Sequence, residues 1–200
     1  MRNTTVKIFA LALCAAMLFS LAACTSSKRK ETEEATMESI TEMAADTKTA
    51  GNGKKVYLAG PLFNQAEKDF NLEITKVLED CGYQVFLPQR DGIEAAQLEG
   101  KSEDEMIEMI FSLDEGKVKE SDILFMNLDG RVPDEGACVE LGIAYANGKR
   151  CYGFKTDTRS VELGLDLNPM ISGCMTKVFK NYYGAGLIEE LKQYLSENEL

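Results

Sequence analysis

The segment DILFMNLDG, residues 122–130, is near-continuously apolar, with the run Ile123–Met126 uninterrupted. A strand with one wet face alternates apolar and polar side chains. An unbroken run predicts instead a strand buried on both faces, as in a parallel sheet covered by helices. The flanking segments meet that demand. KKVYLAG, at 54–60, is a short apolar strand stopped by Gly-Pro. Phe70, Ile74, Val77, Leu78 and Cys81 then recur at helical spacing, and Gly82 ends that helix. YQVFLPQ is a second strand, followed by a Gly-rich loop. SEDEMIEMIFSLDEGKVKES is helical, with Ser102 and Glu105 spaced as a capping box. After the opening strand come a helix over about 134–147, a strand RCYGF, a loop, a strand TKVFK, and a helix GLIEELKQYLSE with Leu187, Leu191 and Leu195 inward. Strands alternate with helices. The expected class is α/β: a single Rossmann-like or flavodoxin-like domain over 54–200, with a five-stranded, mostly parallel sheet flanked by helices.

In such sheets ligands bind beyond the carboxyl ends of the strands. Gly60, Pro61 and Phe63 fall there after the first strand, then Gln89, Arg90 and Asp91, then Asn127 and Asp129, and Asp134 at the next helix start. Neither a G-x-G-x-x-G nor a P-loop occurs, so a dinucleotide or triphosphate is not indicated. The formal net charge is −11, and no basic cluster occurs beyond Lys28–Lys30, which argues against nucleic-acid binding. There is no histidine, so acid–base chemistry near neutral pH falls to carboxylates, Tyr, Lys or Cys. A Ser-His-Asp triad and a histidine-bound metal are excluded, and no metal-ligand spacing is seen.

Residues 1–23 read as a processing signal. Arg2 and Lys7 flank the start of an apolar run too short for a comfortable membrane span. LAAC, ending at Cys24, is similar to a bacterial lipobox. That predicts cleavage before Cys24 and lipid on its sulfur, placing the domain on the outer face of the cytoplasmic membrane. The alternative is an uncleaved N-terminal anchor. Residues 24–53, rich in Thr, Ser, Glu, Lys and Ala, then form a flexible linker. Cys81, Cys138, Cys151 and Cys174 lack C-x-x-C spacing and read as buried small apolar residues; spacing does not decide whether a disulfide forms.

The helix within VPDEGACVELGIAYANGK carries one charged side chain between Gly136 and Ala146, Glu140. Its helical neighbours Gly136, Ala137, Ile143 and Ala144 offer it no partner. A helix apolar on nearly every face is normally buried, and a buried carboxylate is costly alone. Glu140 is therefore either a rim residue or a placed chemical group.

KVYLAGPLF, FLPQRDG, SDILFMNLDGRVPDEGACVELGIAYANGK and NPMISG, in that order, resemble the nucleoside 2-deoxyribosyltransferase family over about 54–195. The resemblance implies cleavage of the N-glycosidic bond of a 2′-deoxynucleoside and transfer of the deoxyribosyl group to another base, without a cofactor. It implies Glu140 as the nucleophile that forms a covalent sugar ester, and Asp114 as the carboxylate facing the base. Tyr57 would orient Glu140, and Gln89 would bond the base edge. Asp134 would both cap its helix and grip the sugar hydroxyl. Phe63 would stack on base or sugar, beside Gly60. Asn168, with the backbone of Met170, would reach a neighbouring subunit's site, implying a homo-oligomer. Asp129 belongs to the same region without a defined role. Family members often carry Thr or Ser where this chain has Ala137, so one hydroxyl contact near the sugar is lost. Two further functions compete: an N-glycoside hydrolase on the same scaffold, acting on deoxynucleosides or deoxynucleotides, and a non-catalytic surface nucleoside-binding lipoprotein. The first loop, Gly-Pro-Leu-Phe, lacks Ser or Arg for a phosphate, which favours an unphosphorylated nucleoside.

Overall fold

A computed structural model describes residues 51–159 and 164–200. The signal segment, Cys24 and nearly all of the linker lie outside the described residues. The chain runs β1 (Lys55–Ala59), α1 (Gln65–Asp80), β2 (Gln84–Phe86), α2 (Glu103–Glu120), β3 (Ile123–Asn127), α3 (Glu135–Ala146), β4 (Arg150–Lys155), α4 (Pro169–Cys174), β5 (Lys177–Lys180) and α5 (Gly184–Glu197). The sheet order is β2-β1-β3-β4-β5, and all four pairings are parallel rather than mostly so. The Gly-rich loop after β2 carries two single helical turns, Pro88–Asp91 and Ala95–Leu98.

Because side chains alternate across a strand, each strand feeds two cores. Val56 and Leu58 of β1, Ile123 and Phe125 of β3, and Tyr152 and Phe154 of β4 face α1 and α5, where Ile74, Leu78, Leu187 and Leu191 are buried. Tyr57, Ala59, Leu124 and Met126 face the other way, onto Val118 of α2 and Ala137, Leu141 and Ala144 of α3. β3 is buried at all five positions, as the apolar run Ile123–Met126 requires, and the polar Asn127 is buried with it.

Helix starts are set by local chemistry. Asn64 caps α1 by accepting from Glu67 N at 3.0 Å. Ser102 N donates to Glu105 Oε2 at 2.8 Å while Glu105 N donates to Ser102 Oγ at 3.3 Å, the expected capping box of α2. Two sequence expectations change. α3 is not buried all round, since Val139 and Tyr145 are both 57% exposed. Of the four domain cysteines only Cys151 is buried; Cys81, Cys138 and Cys174 are partly exposed, and all four are free thiols. Among the described residues no helix is long and apolar enough to cross a membrane.

The chain leaves β1 toward β2 on one side and meets β3 on the other, so the sheet order reverses between β1 and β3. Such a switch point opens a crevice at the carboxyl ends of the strands. Gly60 begins that crevice with φ +151. A Cβ there would lie 2.5 Å from Asn127 Cβ, so only glycine lets the loop leave β1 this close to β3.

Candidate active site

β1 aims Tyr57 at the α2–α3 face of the sheet, and the side chain is wholly buried. Its ring stacks on Phe86 of β2 at 5.5 Å between centroids. Its hydroxyl donates to Glu140 Oε1 at 2.6 Å, a short charge-assisted bond that joins the middle of β1 to the middle of α3. The partner that Glu140 lacks on its own helix therefore comes from the strand beneath it.

Asp114, on α2, stands close enough to the same phenol for its charge to act on it. Burial, then the charge of Glu140, hold the Tyr57 phenol far above its usual range, so it stays a donor. Burial pushes Glu140 up to about 7; the Tyr57 hydrogen bond opposes that rise, and the charges of Asp114 and Asp134 add to it. Burial likewise raises Asp114, against the pull of Tyr57. Two carboxylic acids that both resist ionisation, on either side of one cleft, can divide the roles of nucleophile and proton donor.

Both carboxylates line a cleft of about 370 Å³ between α2 and α3, walled by Ile107, Ile110, Phe111, Val139 and Ile143 with Gly136 at its edge. That volume is in the range of small-molecule sites, and its acidic groups face the cleft from both helices, Asp114 and Glu115 from α2 and Glu140 from α3. A smaller cleft of about 190 Å³, lined by Lys55, Gln84, Asp91 and Lys117, contains neither carboxylate.

The other candidate residues divide into separate settings. Asp134 caps α3, accepting from Ala137 N at 2.8 Å, and its charge reaches Glu140. Gln89 is half-buried; its Nε2 donates to Lys68 O at 2.9 Å and its Oε1 accepts from Asn71 Nδ2 at 3.3 Å. Gly60 sits at the switch-point crevice against Asn127. Phe63 is 76% exposed, with its backbone N–H donated to Glu67 Oε2 at 2.9 Å. Asn168 caps α4 by accepting from Met170 N at 2.9 Å, and the Met170 side chain is 79% exposed. Asp129 braces two strand exits. It accepts from Thr156 N at 2.6 Å, Thr156 Oγ1 at 2.5 Å and Asp157 N at 2.8 Å, tying the end of β3 to the end of β4. Glu140, Asp114 and Tyr57 are thus brought together with the charge of Asp134 acting on Glu140, whereas Gln89, Gly60, Phe63, Asp129, Asp134, Asn168 and Met170 line no part of that cleft.

Sequence reading missed Asn71, which is 2% exposed. A signal was available: it stands at helical spacing from Ile74, Thr75 and Leu78, a polar residue on the buried stripe of α1. It also missed Lys155, buried at the end of β4, whose ammonium donates to Arg159 O at 3.3 Å.

Among the described residues no cluster of three or more Cys, Asp and Glu is arranged to hold a metal ion. Three comparisons bear on this arrangement. The profile of the family described as nucleoside 2-deoxyribosyltransferase matches residues 56–188. Among solved structures, a 2-deoxyribosyltransferase from the psychrotolerant bacterium Bacillus psychrosaccharolyticus is similar at 27% identity and a TM-score of 0.55, covering 70% of this chain and 91% of that one. A conserved protein from Enterococcus faecalis is similar at 26% identity and a TM-score of 0.53, covering 70% of this chain and 98% of the other. A search of curated proteins by sequence finds no match.

Proposed function

The chain belongs to the nucleoside 2-deoxyribosyltransferase family, and from that premise we propose that it transfers the 2-deoxyribosyl group of 2′-deoxynucleosides between nucleobases. The observation that carries this reading is the 2.6 Å bond from Tyr57 to Glu140 in a cleft shared with Asp114. Glu140, ionised, attacks the anomeric carbon while the N-glycosidic bond breaks. The bonding pair leaves with the base, and Asp114 donates a proton to the departing ring nitrogen. The product is a glutamyl ester of deoxyribose. An incoming base then attacks the same carbon, Glu140 departs as carboxylate, and Asp114 takes back a proton. Two displacements at one carbon retain its configuration.

The apolar walls around Glu140 limit its hydration, which favours attack on a developing oxocarbenium ion. Tyr57 fixes which carboxylate oxygen is held and leaves the other free. Asp134 contacts the sugar hydroxyl from the start of α3, Gln89 contacts the base edge, and Gly60 and Phe63 border the bound nucleoside. Asp129 ties the end of β3 to the end of β4. A homo-oligomer in which Asn168 and Met170 complete a neighbouring site is supported by exposed apolar side chains lining the cleft, Ile107 (58%), Phe111 (53%) and Val139 (57%), and by the exposed Met170 (79%) of α4. Lipid on Cys24 would hold the enzyme on the outer face of the cytoplasmic membrane, where it meets external deoxynucleosides.

One assay separates this function from its competitors. The purified full-length protein is incubated with deoxyadenosine, with and without cytosine. Deoxycytidine formation supports transfer. Free adenine and deoxyribose without a second base mark a hydrolase, and affinity without turnover marks a binding protein. A slow fluorinated sugar analogue then labels the nucleophile, and an adduct on a peptide lacking Glu140 overturns the assignment.

A further inference from the structure

A chain of side-chain amides crosses the crevice between β1 and β3. Asn127, 1% exposed at the end of β3, accepts the Asp129 N–H on Oδ1 at 2.9 Å. Its Nδ2 donates to Asn71 Oδ1 at 2.9 Å. Asn71, 2% exposed on α1, donates Nδ2 to Pro61 O at 2.9 Å and to Gln89 Oε1 at 3.3 Å. Gln89 Nε2 then donates to Lys68 O at 2.9 Å. The chain has one polarity throughout. Its outer partners are backbone groups that cannot exchange roles: the Asp129 N–H only donates, and the Pro61 and Lys68 carbonyls only accept. Flipping any one amide would set donor against donor or acceptor against acceptor.

An amide is nearly symmetric in shape, so an isolated glutamine turns over at little cost. Gln89 is not isolated. Lys68 O holds its Nε2 at 2.9 Å, and Asn71, itself oriented from β3 by Asn127, holds its Oε1 at 3.3 Å. One Nε2 hydrogen and part of the Oε1 lone-pair capacity stay free, a donor beside an acceptor. A nucleobase edge carries the same kind of pair, and a site built to bond such an edge rejects edges of the opposite sense. Burying two amides is costly unless every group is satisfied, and a well-packed apolar pair of similar shape would hold α1 on β3 as well. The unbroken polarity of the relay therefore favours a directional purpose for Asn71 and Asn127 over a purely structural one.

We propose that Asn71 and Asn127 are specificity-determining positioning residues, which lock the amide polarity of Gln89 and thereby select the nucleobase edge that the site accepts. The proposal rests on the reading of Gln89 as a base contact. Its test compares kcat/KM for deoxyadenosine and deoxyinosine as donors, which share a purine ring but present edges of opposite donor–acceptor sense, using the full-length protein and its Asn71→Ala, Asn127→Ala and Gln89→Ala variants, alone and paired. Each asparagine change is expected to move the ratio of the two values about 5-fold or more, and to move it no further once Gln89→Ala is present, because residues in one network are not additive. Asparagine variants that lower both values equally, or shift the ratio independently of Gln89, overturn the proposal. If Gln89→Ala leaves the ratio unchanged, the base-contact reading falls and this inference with it; if it moves the ratio and neither asparagine does, only the relay falls. Hydrogen exchange of the Gln89 side-chain amide, followed by NMR, reads the relay without turnover. Faster exchange in whichever asparagine variant folds is expected, and unchanged exchange overturns the relay.

Discussion

Tyr57 and Glu140 stand 83 positions apart in sequence, yet the phenol of one donates to the carboxylate of the other at 2.6 Å. The bond spans from β1 to α3, two elements that pack only because the sheet is parallel and α3 covers the face to which odd-numbered residues of β1 point. It puts a carboxylate whose pKa is held near 7 beside a second raised carboxylate, Asp114.

Glu140→Gln is expected to lower the chemical step by roughly 10²-fold or more, the loss typical of a positioned catalytic group. The fold should survive and its stability should change with pH in a defined sense. Glu140 binds its proton more tightly folded, at about 7, than its ordinary value of 4.5. Stability of the parent therefore falls as pH rises from 4.5 toward 7. The variant lacks that loss, so its Tm should match the parent's below pH 4.5 and exceed it above 7. Thermal melts at the two extremes check this.

Tyr57→Phe removes the donor that holds Glu140 down. Its carboxyl should then titrate higher than about 7, moving the acid limb of the kcat/KM profile toward alkaline pH. A hydrogen bond to a charged group contributes about 1.5–3 kcal/mol, so activity at neutral pH should fall roughly 10- to 100-fold. An unshifted limb would show that the bond does not control Glu140.

Asp114→Asn should move the same limb the opposite way, because the negative charge that raises Glu140 is gone. The rate should nevertheless drop, by roughly 10²-fold, for want of a proton donor. The loss should shrink for donors whose base departs without protonation. Stopped assays across pH with two leaving bases separate these effects.

Gly60→Ala places a Cβ 2.5 Å from Asn127 Cβ in a backbone of φ +151. Overpacking and strain together should cost about 1–3 kcal/mol, seen as a Tm several degrees lower. Because the same contact sits at the crevice, KM should rise with it. A melt unchanged from the parent would mean that the loop moves freely away from β3.

Cys24→Ala should release the protein from membranes into the soluble fraction if lipid on that sulfur is the anchor. Retention in the membrane pellet would point instead to an uncleaved N-terminal segment.

Much of the architecture was legible one residue at a time. The apolar run Ile123–Met126 of β3 required cover on both faces, and the structure buries all four of its residues. Ser102 and Glu105 announced the start of α2 because a capping box is a local bond pattern. Leu187, Leu191 and Leu195 face inward as their spacing demanded. The short helical turns after β2 were not legible, since four residues carry no periodicity. Nor was the exposure of α3: its near-uniform apolarity suggests burial, but the sheet covers one side only and leaves Val139 and Tyr145 at the surface.

Local sequence sufficed for the alternation of strand and helix, the places where helices begin, and the isolation of Glu140 among apolar neighbours, because each follows from bonds or periodicities within a few residues. The fold alone decided that Tyr57 would answer Glu140, that Asp114 would share the cleft, and that Asn71 and Asn127 would meet between α1 and β3. Those meetings depend on strand order and register, which arise from the packing of distant segments against one another and leave no mark in the spacing of any one of them.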